Sequence, residues 1–317
     1  MGSKDSDRRL IAGIGSALVD VLIYEDDAFL EKTGAAKGGM TLVNDQFIEQ
    51  TLAMASGEQT VVPGGSACNT IIGVGQLGGP ARFVGKRGQD YLGELFESGL
   101  KQSRVEPVLL RSHSATGRVL SIITPDAQRS MFTFLGASAE TKPEEVTAEC
   151  FENAAVVHIE GYLLFNKDLM LTAMKAAKKA GALISLDLAS YTVVEQSKDY
   201  LERFVEDYVD ILIANEDEAR AFTGQNDEEK AVRALSRKAY IAALKVGKRG
   251  SYITRAGKTV KVVARGTGAA VDTTGAGDLW AAGFLYGLVH NYPLEVCGEL
   301  ASACGFEVCQ VVGAAIS

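Results

Sequence analysis

Two glycines and an aspartate lead into an apolar stretch near the end of the chain, where residues 271–278 read VDTTGAGD. The residues that follow, 279–289, are predicted to form a helix. Glycines on either side of one alanine let consecutive backbone N–H groups converge at the helix start, where the helix dipole adds positive potential. This pattern predicts an anion hole for a phosphoryl group whose oxygens gain or shift charge during transfer. The predicted hole would be formed by Gly275, Ala276 and Gly277.

Asp278 follows that hole directly, in the first predicted turn of the helix. A carboxylate beside a bound phosphoryl group can accept the proton of an attacking hydroxyl, so we predict that Asp278 is a general base. The alternative is a glycine-rich turn with an ordinary acidic residue at a helix start. The preceding residues Asp272, Thr273 and Thr274 favour the catalytic interpretation, because GAGD alone would leave the two even.

A second glycine pair precedes another predicted helix, in GGSACNT at residues 64–70. Gly64 and Gly65 permit a ligand to approach the backbone closely. The Asn69 amide, in the first turn of that helix, can both donate to and accept from a diol. Ser66 is expected to be the helix N-cap, and the alternative for the whole segment is a plain loop that Ser66 caps.

A single carboxylate, Asp20, lies among the apolar residues Leu18, Val19, Val21 and Leu22 in a predicted strand. Burying it without a partner would be costly, so it could accept hydrogen bonds from sugar hydroxyls. The alternative is an aspartate at a strand edge that faces solvent.

Polar residues follow two more predicted strands. The segment NEDE, residues 215–218, comes directly after the strand Asp210–Ala214, and ligands bind at the carboxyl ends of parallel strands in open α/β sheets. Hard oxygen ligands suit Mg²⁺, often through water, whereas the alternative is a solvated acidic helix start. The segment KVGKRG, residues 245–250, could carry nucleotide phosphates or form a basic turn.

Three other patterns are set aside. GVGQLG, residues 73–78, matches the dinucleotide-binding pattern GxGxxG, but it lies within or at the end of a predicted helix instead of between a strand and a helix. The chain has no GxxxxGK[ST] sequence, so no P-loop is expected. Its three histidines show no metal-ligand spacing, and His158 is predicted to be a core or strand-end residue.

These motifs must be positioned by a regular framework. From about residue 154, strands alternate with helices, which predicts a mostly parallel sheet covered on both faces. Between residues 17 and 136 the chain is rich in hairpin signals, including a turn at Pro125-Asp126, and this part cannot all join that sheet. We therefore expect an appended small sheet that acts as a lid.

The composition limits the classes of function. The chain has 317 residues, 47% of them hydrophobic, with a net charge of −8, which is typical of a globular protein without a basic surface for nucleic acid. Five cysteines without CxxC spacing favour neither a disulfide framework nor a zinc site, and a reduced cytoplasm fits them best. The polar residues 1–9 contain no apolar signal region. The longest uncharged stretch, residues 59–81, is too rich in glycine and proline for a membrane span.

The segments Gly64–Thr70 and Asp272–Asp278, in this order and at this separation, resemble the two signatures of the ribokinase-like (pfkB) carbohydrate and nucleoside kinases. The resemblance covers essentially the whole chain. It implies a three-layer α/β/α sandwich with a mostly parallel central sheet and a small β-sheet lid. The chain would then be one kinase domain, residues 1–317, with a lid built from about 17–44 and 105–136.

The same resemblance implies roles for individual residues. Asp278 would be the catalytic base, beside the anion hole defined above. The groups that hold substrate hydroxyls would be Asp20, Gly64, Gly65 and Asn69. The groups near ATP would be Asn215, Glu218, Lys245, Gly247, Gly250 and Thr274. Glu218 would bind Mg²⁺ through water, and Asp272 would lie beside a monovalent cation such as K⁺.

Within the family, three stretches look most like members of the adenosine-kinase type: KGGMTL at 37–42, RSM at 129–131 before LGA, and EGYL at 160–163. By this resemblance Tyr162 would stack on a purine ring, and Arg129 would reach the phosphates when the lid closes. The alternatives are a core aromatic side chain and a solvated turn. The middle strand is followed by Asp187-Leu188-Ala189, which lacks the asparagine of the D-x-N found in many sugar kinases.

The resulting expectation is an ATP- and Mg²⁺-dependent kinase that phosphorylates the primary hydroxyl of a ribose-containing small molecule, adenosine above all. A sugar kinase of the same family is the alternative. Two further rivals are a nucleotide- or sugar-binding regulator without activity and an NAD-dependent oxidoreductase, the latter resting on residues 73–78 alone. The partners expected are small molecules, with no nucleic acid and no membrane, and a second copy of the chain could pair through the lid.

Overall fold

The computed structural model of the chain describes residues 8–34, 37–126, 128–266, 270–311 and 313–314. Most of the polar N-terminal segment considered above lies outside the described residues. The strands are β1 (Leu10–Ile14), β2 (Leu18–Tyr24), β3 (Met40–Leu42), β4 (Thr60–Gly64), β5 (Ala81–Gly88), β6 (Val105–Ser112), β7 (Gly117–Ile123), β8 (Arg129–Phe134), β9 (Ala154–Glu160), β10 (Leu183–Asp187), β11 (Ile211–Asn215), β12 (Ile241–Lys245), β13 (Ser251–Arg255) and β14 (Lys258–Val262). The α-helices are α1 (Asp27–Thr33), α2 (Asp45–Met54), α3 (Ser66–Gln76), α4 (Tyr91–Gln102), α5 (Lys167–Lys179), α6 (Tyr191–Tyr208), α7 (Glu216–Thr223), α8 (Glu228–Leu235), α9 (Ala276–Val289) and α10 (Leu294–Val308).

In the part of the chain that the structure describes, the large sheet has nine strands in the order β14-β13-β12-β11-β10-β9-β1-β5-β6. Neighbours from β12 to β6 run parallel, and β13 and β14 continue the sheet as an antiparallel edge. Helices α5 to α8 pack on one face, and α3, α4, α9 and α10 pack on the other. Strands such as β11 (ILIAN) and β12 (IAALK) are nearly continuous apolar runs because both of their faces are buried. The predicted three-layer sandwich is confirmed.

A second sheet, here called the lid sheet, has the strand order β3-β8-β7-β2-β4. Alternate residues of β2 divide between its two faces. Val21 and Ile23 pack against α1 and α2, whereas Leu18 and Asp20 line a cavity between the lid sheet and the large sheet. The outer face of the lid sheet is thus covered by the chain's own helices, and β3 and β4 are its edge strands.

The lid differs from the predicted segments 17–44 and 105–136. Strand β6 lies outside it, because α4 leads from β5 into β6 as a crossover and the two strands pair in parallel at the edge of the large sheet. Strand β4 belongs to the lid sheet and pairs antiparallel with β2. Sequence analysis did not predict this strand because it contains Pro63 and runs into a glycine pair, although proline is tolerated on an edge strand.

Helices α3 and α9 cross closely on one face of the large sheet, and Gly73 makes this contact possible. A β-carbon at Gly73 would lie 2.5 Å from Leu279 Cδ1 and 2.8 Å from Ala282 Cβ. Two positions along, a β-carbon at Gly75 would lie 2.1 Å from the Ser103 carbonyl oxygen. Gly73 and Gly75 of the set-aside GxGxxG pattern therefore serve the close packing of α3, whereas Gly78, with a φ of +82°, has no neighbour within 4 Å of an added β-carbon.

We expect the substitution Gly73→Ala to push α3 away from α9 and to lower the free energy of unfolding by about 1–3 kcal/mol, the usual cost of overpacking. Denaturant unfolding measures this. Gly305→Ala on α10 is the matched control, because its added carbon would come no closer than 3.1 Å to a neighbour. Equal stability of the Gly73→Ala variant and the unchanged protein would contradict the packing role.

Candidate active site

The Asp278 carboxylate is held by two side chains from another helix. Ser66 Oγ donates to Asp278 Oδ1 over 2.8 Å, and Asn69 Nδ2 donates to Asp278 Oδ2 over 2.9 Å. Thr70 Oγ1 also donates to the Asp278 carbonyl oxygen, at 3.1 Å. Burial raises the pKa of Asp278 and these side-chain hydrogen bonds oppose the rise. The first turns of α3 and α9 therefore orient one carboxylate toward the cavity.

Ser66 differs from its predicted role. The N-cap of α3 is Gly65, with no side-chain capping bond, and the Ser66 hydroxyl is directed to Asp278 instead. Gly65 has a φ of +97°, and a β-carbon there would lie 2.4 Å from the Ser16 carbonyl oxygen. Only glycine meets both conditions without strain.

The start of α9 points into the cavity as the VDTTGAGD segment predicts. Gly275 is the N-cap in a left-handed conformation, with φ +71°, and Gly275 and Gly277 both line the cavity. The Ala276 N–H donates to the Thr273 carbonyl oxygen at 3.2 Å, so this amide takes part in the turn itself. The geometry thus brings the two glycines to the cavity and gives Ala276 a local partner.

Asp272 braces the loop that precedes α9. Its Oδ1 accepts from the Thr274 N–H at 2.9 Å and from the Thr274 hydroxyl at 2.7 Å. Its Oδ2 accepts from the Gly313 N–H at 3.0 Å. The carboxylate therefore ties the loop to the end of the chain.

Asp20 faces the cavity from the lid sheet. Burial raises its pKa to about 6, although the Arg129 guanidinium opposes the rise. A β-carbon at Gly64 would lie 2.3 Å from Asp20 Cγ, so this glycine leaves space for the carboxylate. Arg129 itself donates from Nη1 to Thr274 Oγ1 over 2.5 Å, which joins the lid to the loop before α9.

Glu218 is almost fully buried, at 2% exposure, and is therefore not part of a solvated helix start. It forms a capping box with Asn215: the Asn215 side chain accepts from the Glu218 N–H at 2.9 Å, and Glu218 accepts from the Asn215 N–H at 2.8 Å. Burial, reinforced by the nearby Asp187, raises the pKa of Glu218 to about 7, while Lys245 opposes the rise.

The cavity enclosed by these groups has a volume of about 830 Å³. Asp20, Asn69 and Asp278 are among its polar lining groups. Tyr162 also lines it, packs partly against the core, and has its pKa raised to about 12, first by burial and then by nearby carboxylates that include Glu160 and Asp278. The apolar side chains of the lining include Met40, Leu42, Met131, Leu135, Leu163 and Phe165.

Comparison with known proteins shows which family has this site. Residues 28–317 match the model of the pfkB family carbohydrate kinases. The chain belongs to this family. It is thus an ATP-dependent kinase of the sugar and nucleoside class.

Three relatives illustrate the range of proteins to which this pfkB kinase is similar. A crystal structure of adenosine kinase from Sinorhizobium meliloti is 34% identical, covers 97% of this chain and 95% of its own, and superposes with a TM-score of 0.89. A probable sugar kinase from Rhizobium etli is 31% identical, with coverage of 98% and 95% and a TM-score of 0.90. A probable fructokinase-4 from Arabidopsis thaliana is 28% identical over 77% of this chain and 80% of its own.

Two site residues of this kinase escaped sequence analysis. Asp187 had been noted only for the missing asparagine after it, yet its Oδ2 accepts from Lys245 Nζ over 2.7 Å. Glu160 accepts from the Ser16 N–H at 2.8 Å and from the Ala67 N–H at 3.0 Å. Both acids end buried strands, which is the signal that led to residues 215–218 and could have led to them.

Gly247 and Gly250 lie away from the cavity. They shape the turn after β12 with φ values of +54° and +100°, and a β-carbon at Gly250 would lie 1.9 Å from the Val262 carbonyl oxygen. Their predicted place at ATP stays a prediction. None of the helices in the described part of this pfkB kinase is long and apolar enough to span a membrane.

The raised pKa of Asp20 predicts a stability effect that depends on pH. The folded protein binds a proton at Asp20 up to about pH 6, whereas the unfolded chain releases it near 3.8, so stability falls as pH rises between these values. The difference corresponds to about 3 kcal/mol. The ligand-free Asp20→Asn variant should therefore equal the unchanged protein near pH 3.8 and exceed it by about this amount above pH 6.

Thermal unfolding between pH 4 and pH 8 measures this effect. Asp199→Asn, at an exposed position on α6, is the control and should change stability little at either end of the range. A constant offset between the Asp20→Asn variant and the unchanged protein across the range would show that burial of the charge is not the cause.

Proposed function

We propose that this pfkB kinase transfers the γ-phosphoryl group of ATP to the 5′-hydroxyl of adenosine, giving AMP and ADP. The observation that carries the proposal is the mixed lining of the cavity. Asp20 and Asn69 suit a ribose, and Tyr162 with the apolar side chains suits a flat heterocyclic base. The 34% identity to an adenosine kinase over nearly the whole chain supports the same choice.

In this mechanism Asp278 accepts the proton of the attacking hydroxyl. Asn69 and Ser66 keep its carboxylate in one orientation through their hydrogen bonds. Asp20 accepts from ribose hydroxyls, and the N-terminus of α9 stabilises negative charge on the moving phosphoryl group. The lid sheet excludes water over the cavity, which limits hydrolysis of ATP.

The family implies a magnesium ion. Among the described residues, no group of three or more acidic, histidine or cysteine side chains is arranged to hold a metal by itself. Asp187 and Glu218 nevertheless fit an ion that keeps water and phosphate ligands, because both carboxylates line the cavity and positive charge there would favour ionised Glu218. Bound there, Mg²⁺ would neutralise part of the phosphate charge of ATP. Asp272 stays the predicted neighbour of a monovalent cation.

A sugar kinase is the second candidate, and the fructokinase and probable sugar kinase relatives favour it. A coupled assay of ADP release across adenosine, other nucleosides, ribose, fructose and fructose phosphate separates the two. We expect the highest kcat/KM with adenosine. No turnover of adenosine beside an active sugar would reverse the choice.

The Tyr162→Leu variant sharpens this panel, because leucine keeps the bulk but removes the aromatic face. If a purine stacks on Tyr162, the KM for adenosine should rise about tenfold, in line with the energy of one base–aromatic contact. Tyr191→Leu, at an exposed tyrosine outside the cavity, should leave KM unchanged. An unchanged adenosine KM in Tyr162→Leu would contradict stacking of the purine ring on Tyr162.

The Asp278→Asn variant tests the chemistry. Asparagine can keep both neighbours, with its oxygen accepting from Asn69 and its amide donating to Ser66, so the fold should persist. Turnover should fall at least about 100-fold, the usual size of a general-base effect. Turnover close to that of the unchanged enzyme would overturn the assignment of the base.

A further inference from the structure

Lys245 ends strand β12, directly beside Asn215 in the parallel register. Its Nζ lies 2.7 Å from Asp187 Oδ2, and the two side chains are only 15% and 7% exposed. Burial would lower the pKa of Lys245, but Asp187 and Glu218 more than compensate, so the pKa is raised and the ammonium keeps its charge. The cavity thus contains a fixed cation on the large sheet.

This ammonium is packed against the first turn of α9. A β-carbon at Gly277 would lie 3.1 Å from Lys245 Nζ and 4.0 Å from its Cε. Gly277 therefore leaves space for the charged end of a side chain as well as exposing its own backbone. Lys245, Gly277 and Asp278 line the cavity together, so the cation, the helix start and the base face the same volume.

The charges around Lys245 are otherwise negative. Asp187, Glu218 and Asp278 all act on its pKa through their carboxylates. A cavity that receives the phosphates of ATP needs positive charge at this point, and an ammonium has three donors, of which the ion pair with Asp187 uses one. The position suits contact with the oxygens of a phosphoryl group at the start of α9.

We propose that Lys245 is a catalytic residue that donates to the non-bridging oxygens of the transferring phosphoryl group, with Asp187 as the residue that positions it. The acceptor's hydroxyl oxygen forms the new O–P bond while the bond between the γ-phosphorus and the bridging oxygen breaks, and its electron pair leaves on ADP. The hydroxyl proton passes to Asp278. Lys245 keeps its protons throughout and stabilises charge on the three non-bridging oxygens.

This inference rests on the kinase activity of the family and not on adenosine as acceptor. Its assay uses whichever acceptor the substrate panel finds active, so failure of the adenosine proposal and failure of the Lys245 proposal are separate results. The rival explanation is structural: Lys245 would only neutralise Asp187, whose buried charge is costly when unpaired.

The test compares Lys245→Gln, Asp187→Asn and the double variant. Removing both charges leaves no unpaired member of this ion pair, so the double variant should fold, and thermal unfolding checks this. If Lys245 touches the phosphoryl group, kcat of the double variant should be at least about 100-fold below that of Asp187→Asn, the size of losing one transition-state donor, with the acceptor KM within about threefold. A double variant that turns over within threefold of Asp187→Asn would overturn the proposal in favour of the structural role.

A second measurement does not depend on the fold of a single variant. ADP with aluminium fluoride and the acceptor mimics the transferring phosphoryl group and should raise the unfolding temperature above that with ADP and acceptor alone. We expect this fluoride-dependent increase in the unchanged protein, a smaller increase in Asp187→Asn, which also removes a carboxylate placed near Mg²⁺, and its loss in the double variant. An equal increase in the double variant and the unchanged protein would contradict contact with Lys245. This comparison can be made even when Asp187→Asn does not fold.

Discussion

The whole site depends on one carboxylate held across two helices. Asp278 accepts from Ser66 and Asn69, which requires the first turns of α3 and α9 to start at the same end of the large sheet and to run close together. Gly73 allows the close approach, one helical turn further along α3. A base held in this way loses little entropy at the moment of reaction, since its orientation is set by folding.

The same region collects more negative charge than a ligand-free cavity favours. Burial raises the pKa of four carboxyl groups there: Asp20, Glu160, Glu218 and Asp278. Each raised pKa represents stability given up by the unoccupied protein at neutral pH. Hydroxyl donors of an acceptor and the cations that accompany ATP would relieve part of this cost, so binding and folding share one electrostatic balance.

Sequence analysis located the residues of the site far better than their partners. Asp278, Asn69 and Asp20 were found because they interrupt glycine-rich or apolar patterns over a few residues. The Lys245–Asp187 pair joins strands 58 residues apart, and such a contact leaves no local pattern. Helices α1, α2 and α4 begin after Asp26, Asn44 and Asp90, each of which accepts a hydrogen bond as an N-cap, so this local signal was available but unused.

The predicted bounds of the lid were wrong for a different reason. Hairpin signals mark turns and not the sheet that a strand joins, so β6 was assigned to the lid and β4 was missed. Glu160, at the end of β9, accepts from the Ser16 N–H, where the chain passes from β1 into the lid sheet, and from the Ala67 N–H, where it leaves the lid sheet for α3. These two connections between the sheets are thus held by a side chain of the large sheet. Any opening of the lid would move Asp20 and Arg129 while Asp278 kept both of its donors, because Ser66 and Asn69 lie on α3 and not on the lid sheet.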